Sequence, residues 1–179
     1  MEKFCITFLE KSDISESSRV LSEAIVNVPL HIAVFQGHGE KERELIEKMF
    51  FELLSDLPGI TFLARTNRQI VCVMRMKTCN GSKVSNDQAR TGDVTNLDWR
   101  KSHWHNECAR HDPLNQHWHL GPVGVLPSHQ GKGIGTKLLN RFCQEVDACL
   151  SPAYLETDTD KNVRFYKGYG FDIVKEIDI

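Results

Sequence analysis

The sequence predicts an α/β fold in which helices flank a mixed sheet, and three observations carry that expectation. Short β-branched runs alternate with amphipathic helical periods over the 179 residues. Two of those runs, Ile60–Thr66 and Gln69–Lys77, flank an Asn67-Arg68 turn and read as an antiparallel hairpin. A third apolar run, Val123–Leu126, turns through alternate glycines directly into a helix with an apolar stripe.

Taken in order, Phe4–Leu9 alternates as a first strand, and Ser12 or Asp13 caps a helix running to about Val26. Pro29 to Gly39 reads as a break. Glu40–Leu57 is a helix with Leu45, Met49, Phe50, Leu53 and Leu54 on one face, ended by Pro58-Gly59. After the hairpin comes a polar insertion between strands, residues 78–116, whose Asn/Ser/Asp-rich part Cys79–Thr95 reads as a mobile loop. Leu97–Arg110 forms a helix before Asp112-Pro113, as part of an active-site insertion or as cover for a sheet edge. Gln116–Val125 is the central strand, followed by helix 133–150, strand 153–157, helix 160–168 and strand 171–178. There is no internal repeat, and a single domain spanning 1–179 is expected.

Composition narrows the function classes. A net charge near −2 gives no chain-wide basic surface, so neither nucleic acid nor an anionic membrane is expected as a partner. No stretch approaches the ~20 consecutive apolar residues of a membrane span. The six cysteines form no C-x-x-C, and the first residues lack a signal-peptide apolar run. A cytoplasmic location with reduced thiols is the expectation.

The richest segment is Gln130-Gly-Lys-Gly-Ile-Gly-Thr136, which reads as a pyrophosphate cradle. Gly131, Gly133 and Gly135 permit φ > 0 and leave room for an anion against backbone N–H groups. The helix N-terminus behind them adds unpaired donors and the positive end of its dipole. The spacing is neither the G-x-G-x-x-G of a dinucleotide turn nor a G-x-x-x-x-G-K-[ST] P-loop.

Gln130-x-x-Gly133-x-Gly135, following Val123–Leu126 and Pro127, resembles the acetyl-coenzyme A signature of the GNAT superfamily of N-acetyltransferases. A second element, Tyr154-Leu-Glu-Thr157 and then Asn162-Val-Arg-Phe-Tyr-Lys-Gly-Tyr-Gly-Phe171, is similar to that family's Asn…Phe-Tyr…Gly-Phe segment. The resemblance is specific from His117 to Phe171, and within the superfamily it runs nearest to the puromycin N-acetyltransferase-like branch. It implies a mixed, mostly antiparallel central sheet that splays apart at the acetyl-CoA site, with acetyl-CoA as cosubstrate. It further implies that the backbone of Val123, Gly124 and Val125 pairs with the pantetheine arm, that Gln130, Gly131, Lys132, Gly133, Ile134, Gly135 and Thr136 hold the pyrophosphate, and that Asn162 bonds near the thioester. Gly121-Pro122 suits a bulge at the splay, because proline cannot donate to a ladder.

Acetyl transfer to an amine needs a base for the ammonium and a proton for the leaving thiol. His117 and His119 share one face of the central strand. Counted back from Gln130, His119 falls where superfamily members place a catalytic Glu or His, so it is the expected base, with a hydrogen-bonded structural histidine as the competing reading. His117 is the lesser candidate, as relay or substrate contact. By family match Tyr166 is the acid, and Tyr169 is the competing phenol. The set His103, His105, Cys108, His111, His117 and His119 contains ligand types but matches no common zinc spacing, so no metal is expected.

These residues add up to an acetyl-CoA-dependent N-acetyltransferase acting on a small-molecule or peptide primary amine by direct attack in a ternary complex. The alternatives are a catalytically silent coenzyme A-binding module and, behind it, a histidine-rich metal sensor. Superfamily members usually add one more strand after the Gly-Phe strand, and here only Asp172–Ile179 follows. The final family strand is therefore expected to be missing, repositioned, or borrowed from a second copy in a homodimer.

Overall fold

A computed structural model of the chain describes residues 4–81 and 92–178. Its elements in chain order are β1 (Cys5–Phe8), α1 (Ile14–Ile25), α2 (Pro29–Phe35), α3 (Glu40–Asp56), β2 (Ile60–Thr66) and β3 (Gln69–Cys79). Then follow α4 (Leu97–His111), β4 (His117–Val125), α5 (Ile134–Ala148), β5 (Ala153–Tyr154) and α6 (Asp160–Lys167). The strands form one sheet in the order β1-β2-β3-β4-β5, antiparallel except for the parallel pair β4 and β5.

The hairpin turn fixes the register of the sheet's centre. Asn67 and Arg68 both have positive φ, 49° and 71°, the two-residue geometry whose twist matches that of the flanking strands. β3 contacts α1 on one side and α5 on the other, and Ile70 through Met76 are buried without interruption. A strand covered on both faces needs a continuous apolar run, which Ile70-Val-Cys-Val-Met supplies. Leu21 of α1 and Leu138 of α5 are fully buried, each stabilising by roughly 1.5–3 kcal/mol. The buried Arg75 donates from Nη2 to the carbonyl oxygens of Pro58, at 2.5 Å, and Leu57, at 3.4 Å, tying the end of α3 to the sheet.

Three sequence expectations are corrected. Pro29–Gly39 is not simply a break, because α2 starts with Pro29 in its first turn, where the missing N–H costs nothing. The next N–H, that of Leu30, donates to Asp158 Oδ2 at 2.9 Å. Strand 153–157 shortens to Ala153–Tyr154. Residues 171–178 form no strand: Phe171 packs on Phe142 and Tyr166, while Ile173, Val174 and Ile177 are exposed. A strand of two residues offers too little edge for the expected neighbour to build a ladder on. Of the expected mobile loop, Cys79 belongs to β3, and residues 82–91 lie outside the described residues.

α4 forms as expected, with Asn96 Oδ1 accepting from the N–H groups of Asp98 and Trp99 as an N-cap. It packs on α2, where Arg100 Nε donates to Val34 O at 2.5 Å. Among these helices His31 is buried, its ring 5.2 Å from Trp104 and 6.4 Å from Phe50. Neither of its nitrogens has a hydrogen-bond partner among the described residues. Burial pushes its pKa down to about 4, against a weaker upward pull from Asp158. The unfolded chain, with an ordinary histidine near 6.5, binds a proton that the folded chain refuses. Stability is therefore full above pH 6.5 and falls as pH drops toward 4, by about 3 kcal/mol in all. Urea unfolding at pH 7 and pH 4.5 should show this loss in the wild type and much less of it in His31→Leu. Equal losses in the two proteins would contradict it.

Candidate active site

β4 pairs with β3 along its length but with β5 only at Trp118↔Ala153 and His119↔Tyr154. Past Leu120 the two strands part. Met76 faces Leu120 and Met74 faces Val123, so Gly121 and Pro122 together oppose Arg75 alone, the bulge expected at this dipeptide. Leu126 N–H donates to Val71 O at 2.9 Å, toward β3. Alternation along an antiparallel ladder then turns the N–H and C=O of Gly124 toward β3 and those of Val123 and Val125 into the opened gap. Gln130 Nε2 reaches the same side, donating to Val125 O at 3.1 Å. Gly124 serves packing: a Cβ there would stand 3.0 Å from both Ala24 Cβ and Leu21 Cδ2 of α1.

The turn after β4 leads straight into α5. Gly131 and Gly133 have φ of 75° and 76°, and a Cβ built on either meets nothing within 4 Å. Packing does not require these glycines. Their left-handed backbone and the open space before them do, and both suit an anion lying against the main chain. The first intrahelical bond of α5 is Lys137 N–H to Gly133 O at 3.2 Å, which leaves the N–H groups of Ile134, Gly135 and Thr136 without helical partners. Ile134 is buried and anchors this first turn, while Gln130, Gly131, Lys132, Gly133 and Thr136 are exposed. Gly135 differs, since a Cβ there would make ordinary contact with Val125 Cγ2 at 3.7 Å.

His119 sits on the last paired rung of β4. Its Nε2 is 2.7 Å from Glu156 Oε2, and its Nδ1 is buried without a partner among the described residues. The ring leans toward the bulge, with Cε1 3.5 Å from where a Gly121 Cβ would be. Sequence reading missed Glu156, because it lies 37 positions from His119 and only the parallel pairing of β4 with β5 brings them together. His117, two residues earlier, is 1% exposed. Its Nδ1 is 2.9 Å from Asn115 O and its Nε2 is 3.2 Å from Asp112 Oδ1, so both nitrogens are engaged within the fold. Tyr154 lies between the two histidines, its ring 5.8 Å from His117 and 6.0 Å from His119. Burial, followed by the charge of Glu156, pushes its phenol pKa well above the ordinary value.

Tyr166 projects from α6 and packs against Phe165 and Phe171. Burial pushes its pKa up to about 12, with a further contribution from the Cys72 thiol. Cys72 is the Cα partner of Val125, so the phenol lies beside the splayed half of β4. Asn162 stands in the first turn of α6, its N–H donating to Thr159 Oγ1 at 3.3 Å. The competing phenol, Tyr169, donates to Thr136 O at 3.4 Å and is thereby tied to α5.

Comparison with known proteins agrees with this geometry. The model of the acetyltransferase (GNAT) family matches residues 30–171, and the chain belongs to that family. A solved structure described as histone acetyltransferase HPA2 and related acetyltransferase, from Corynebacterium glutamicum, is similar with a TM-score of 0.68 at 18% identity, covering 98% of this chain and 88% of that one. A GNAT family acetyltransferase from Brucella melitensis, in complex with acetyl-CoA, is similar with a TM-score of 0.56 at 19% identity, covering 97% and 85%. An L-methionine sulfoximine/L-methionine sulfone acetyltransferase from Salmonella typhimurium is 34% identical over 58 residues. That match covers 31% of this chain and spans only about a third of the relative's length, 34%. These matches support the superfamily and do not confirm the puromycin-like branch.

Gly133→Val forces a β-branched residue into the left-handed region and fills the open space, at a backbone cost of about 1–2 kcal/mol. Calorimetry with coenzyme A should show binding weakened at least about tenfold in Gly133→Val, with an unchanged circular dichroism spectrum. Wild-type affinity in that variant would remove the anion from this turn.

Proposed function

We propose that this GNAT family member transfers an acetyl group from acetyl-CoA to a primary amine, by direct attack in a ternary complex. One observation carries the reading: the parting of β4 from β5 turns the outward backbone of Val123 and Val125, of which only the Val125 carbonyl is met, by Gln130 Nε2, into a gap that ends at the open N-terminus of α5. When bound, acetyl-CoA supplies an acyl group activated as a thioester. The outward groups of Val123 and Val125 hold the pantetheine arm as an added strand, with Gly124 keeping β4 close to α1. Gln130, Gly131, Lys132, Gly133, Ile134, Gly135 and Thr136 hold the pyrophosphate, and Asn162 bonds near the thioester.

A lysine-like amine has a pKa near 10.4, so at pH 7 all but roughly one molecule in 2,500 is protonated, and a base is needed. With Nε2–H donated to the Glu156 carboxylate, His119 carries its lone pair on Nδ1, the nitrogen that has no partner in the fold. That nitrogen is enclosed beside the Gly121-Pro122 bulge, so it takes the ammonium's proton once a shift of the ring or of the bulge admits the donor or a bridging water. Glu156 is then a positioning residue that fixes tautomer and ring orientation. Tyr166, its pKa raised to about 12, keeps its proton at any working pH. Full transfer from that phenol to a thiolate of pKa near 8.5 is uphill by about 5 kcal/mol, so Tyr166 donates a hydrogen bond to the leaving sulfur. The first proton of the ammonium goes to His119, and the second, lost from nitrogen as the amide forms, protonates the thiolate to give the free thiol.

The acceptor is a small-molecule or peptide amine. The Salmonella relative, whose name gives methionine sulfoximine and methionine sulfone, makes α-amino acid analogues the first class to screen. We place the protein in the cytoplasm on its composition. His117, with both nitrogens engaged, positions β4 and does not act as a relay.

An amine panel assayed for thiol release from acetyl-CoA should reveal turnover. His119→Ala should lower kcat by about 10²–10⁴-fold. Glu156→Gln should lower it less and change the pH profile, and Tyr166→Phe should slow turnover with coenzyme affinity intact. Coenzyme binding without thiol release for any amine would indicate the silent module instead. Wild-type turnover in His119→Ala or Tyr166→Phe would end the corresponding assignment.

A further inference from the structure

Outside the residues assigned to acetyl transfer, the described residues bring together Cys79 at the end of β3, Asp112 just after α4 and His117 at the start of β4. One ligand atom from each lies within 4.8 Å of the others. Cys79 and His117 are Cα partners across the ladder, so the sheet itself sets two corners of this triangle.

The hydrogen bonding of His117 says what the triangle lacks. A carbonyl oxygen only accepts, so the 2.9 Å contact between Nδ1 and Asn115 O puts the ring proton on Nδ1. In the neutral ring the Nε2 lone pair then faces the Asp112 carboxylate at 3.2 Å. Two acceptors facing each other at a site where His117 is 1% exposed need a second ring proton or a cation between them. A backbone carbonyl holding the far nitrogen is also the arrangement that fixes the tautomer and orientation of a metal-bound imidazole. With a sulfur in reach as the third ligand, the set suits zinc and not calcium or magnesium.

We propose that Cys79, Asp112 and His117 form a zinc site whose fourth position is taken by water. Tetrahedral bonds of about 2.0–2.3 Å place ligand atoms roughly 3.3–3.7 Å apart, so no pair has to close by more than about 1.5 Å, within reach of side-chain rotation. The ion ties together the point where the chain leaves the sheet after β3 and the point where it returns as β4. Closing that long excursion stabilises the fold and steadies the strand that carries His119. The site stands whether or not the transferase reading holds, because none of its ligands is assigned to catalysis.

The test uses the full chain, stripped with a chelator and dialysed. Zinc titration by calorimetry should show one equivalent bound and a melting temperature that rises with zinc. Cobalt(II) should give a thiolate-to-metal charge-transfer band. Cys79→Ser should lose that band and weaken zinc binding by on the order of tenfold or more. Asp112→Asn should weaken binding similarly with an unchanged circular dichroism spectrum, and it serves as the second variant because replacing the buried His117 endangers the fold. No stoichiometric zinc binding at micromolar concentrations, or binding undiminished in both variants, overturns the proposal.

Discussion

The ladder between β4 and β5 ends after two rungs, and the candidate site depends on that early parting. In a complete sheet the N–H and C=O groups of Val123 and Val125 would be spent on a neighbouring strand. Here the bulge at Gly121-Pro122 and the shortness of β5 leave them facing a gap, where Gln130 Nε2 caps the Val125 carbonyl and the other outward groups of these half-buried residues have no strand beside them. In the proposed reading a strand-like ligand pairs with these groups and its anionic end lies at the N-terminus of α5. The other site residues are arranged around the same opening: His119 on the last paired rung, Glu156 just beyond β5, and Tyr166 reaching in from α6.

An opening of this kind needs a firm frame. β3 provides it, buried on both faces and paired with β2 and β4 along its length. Gly124 lets α1 approach β4 closely enough that any side chain there would press on Ala24 and Leu21. On the far side the first turn of α5 lies near Val125, where a side chain at Gly135 would make ordinary contact. Glycines in this stretch therefore answer two different demands, close helix packing at 124 and a left-handed open turn at 131 and 133.

Local signals made much of this legible in the sequence. The Asn67-Arg68 turn, the apolar stripe of α5 and the run of glycines each depend on neighbours a few positions away, and each element stands where periodicity put it. α2 escaped notice because seven residues between a proline and a glycine are too few to show a helical period. The strand expected at 171–178 has the right residue types, but a strand also needs an edge, and edge length is a tertiary property that local pattern does not carry. Glu156 and the Cys79, Asp112 and His117 triangle were invisible for a related reason: sheet pairing assembles them across 37 and 38 positions of chain. His117 itself was read partly as a substrate contact, whereas it is buried, with Nδ1 bonded to Asn115 O and Nε2 facing the Asp112 carboxylate.

Backbone amide hydrogen exchange, with and without coenzyme A, addresses the splayed strand most directly. Strand-like pairing in the gap predicts new protection at Val123 and Val125, and at Gly133 to Thr136 in the first turn of α5. Gly124, whose amide already faces β3, should change little. Protection that appears instead along the outer edge of β1, or that leaves Val123 and Val125 exchanging as in the free protein, would contradict a coenzyme bound between β4 and β5.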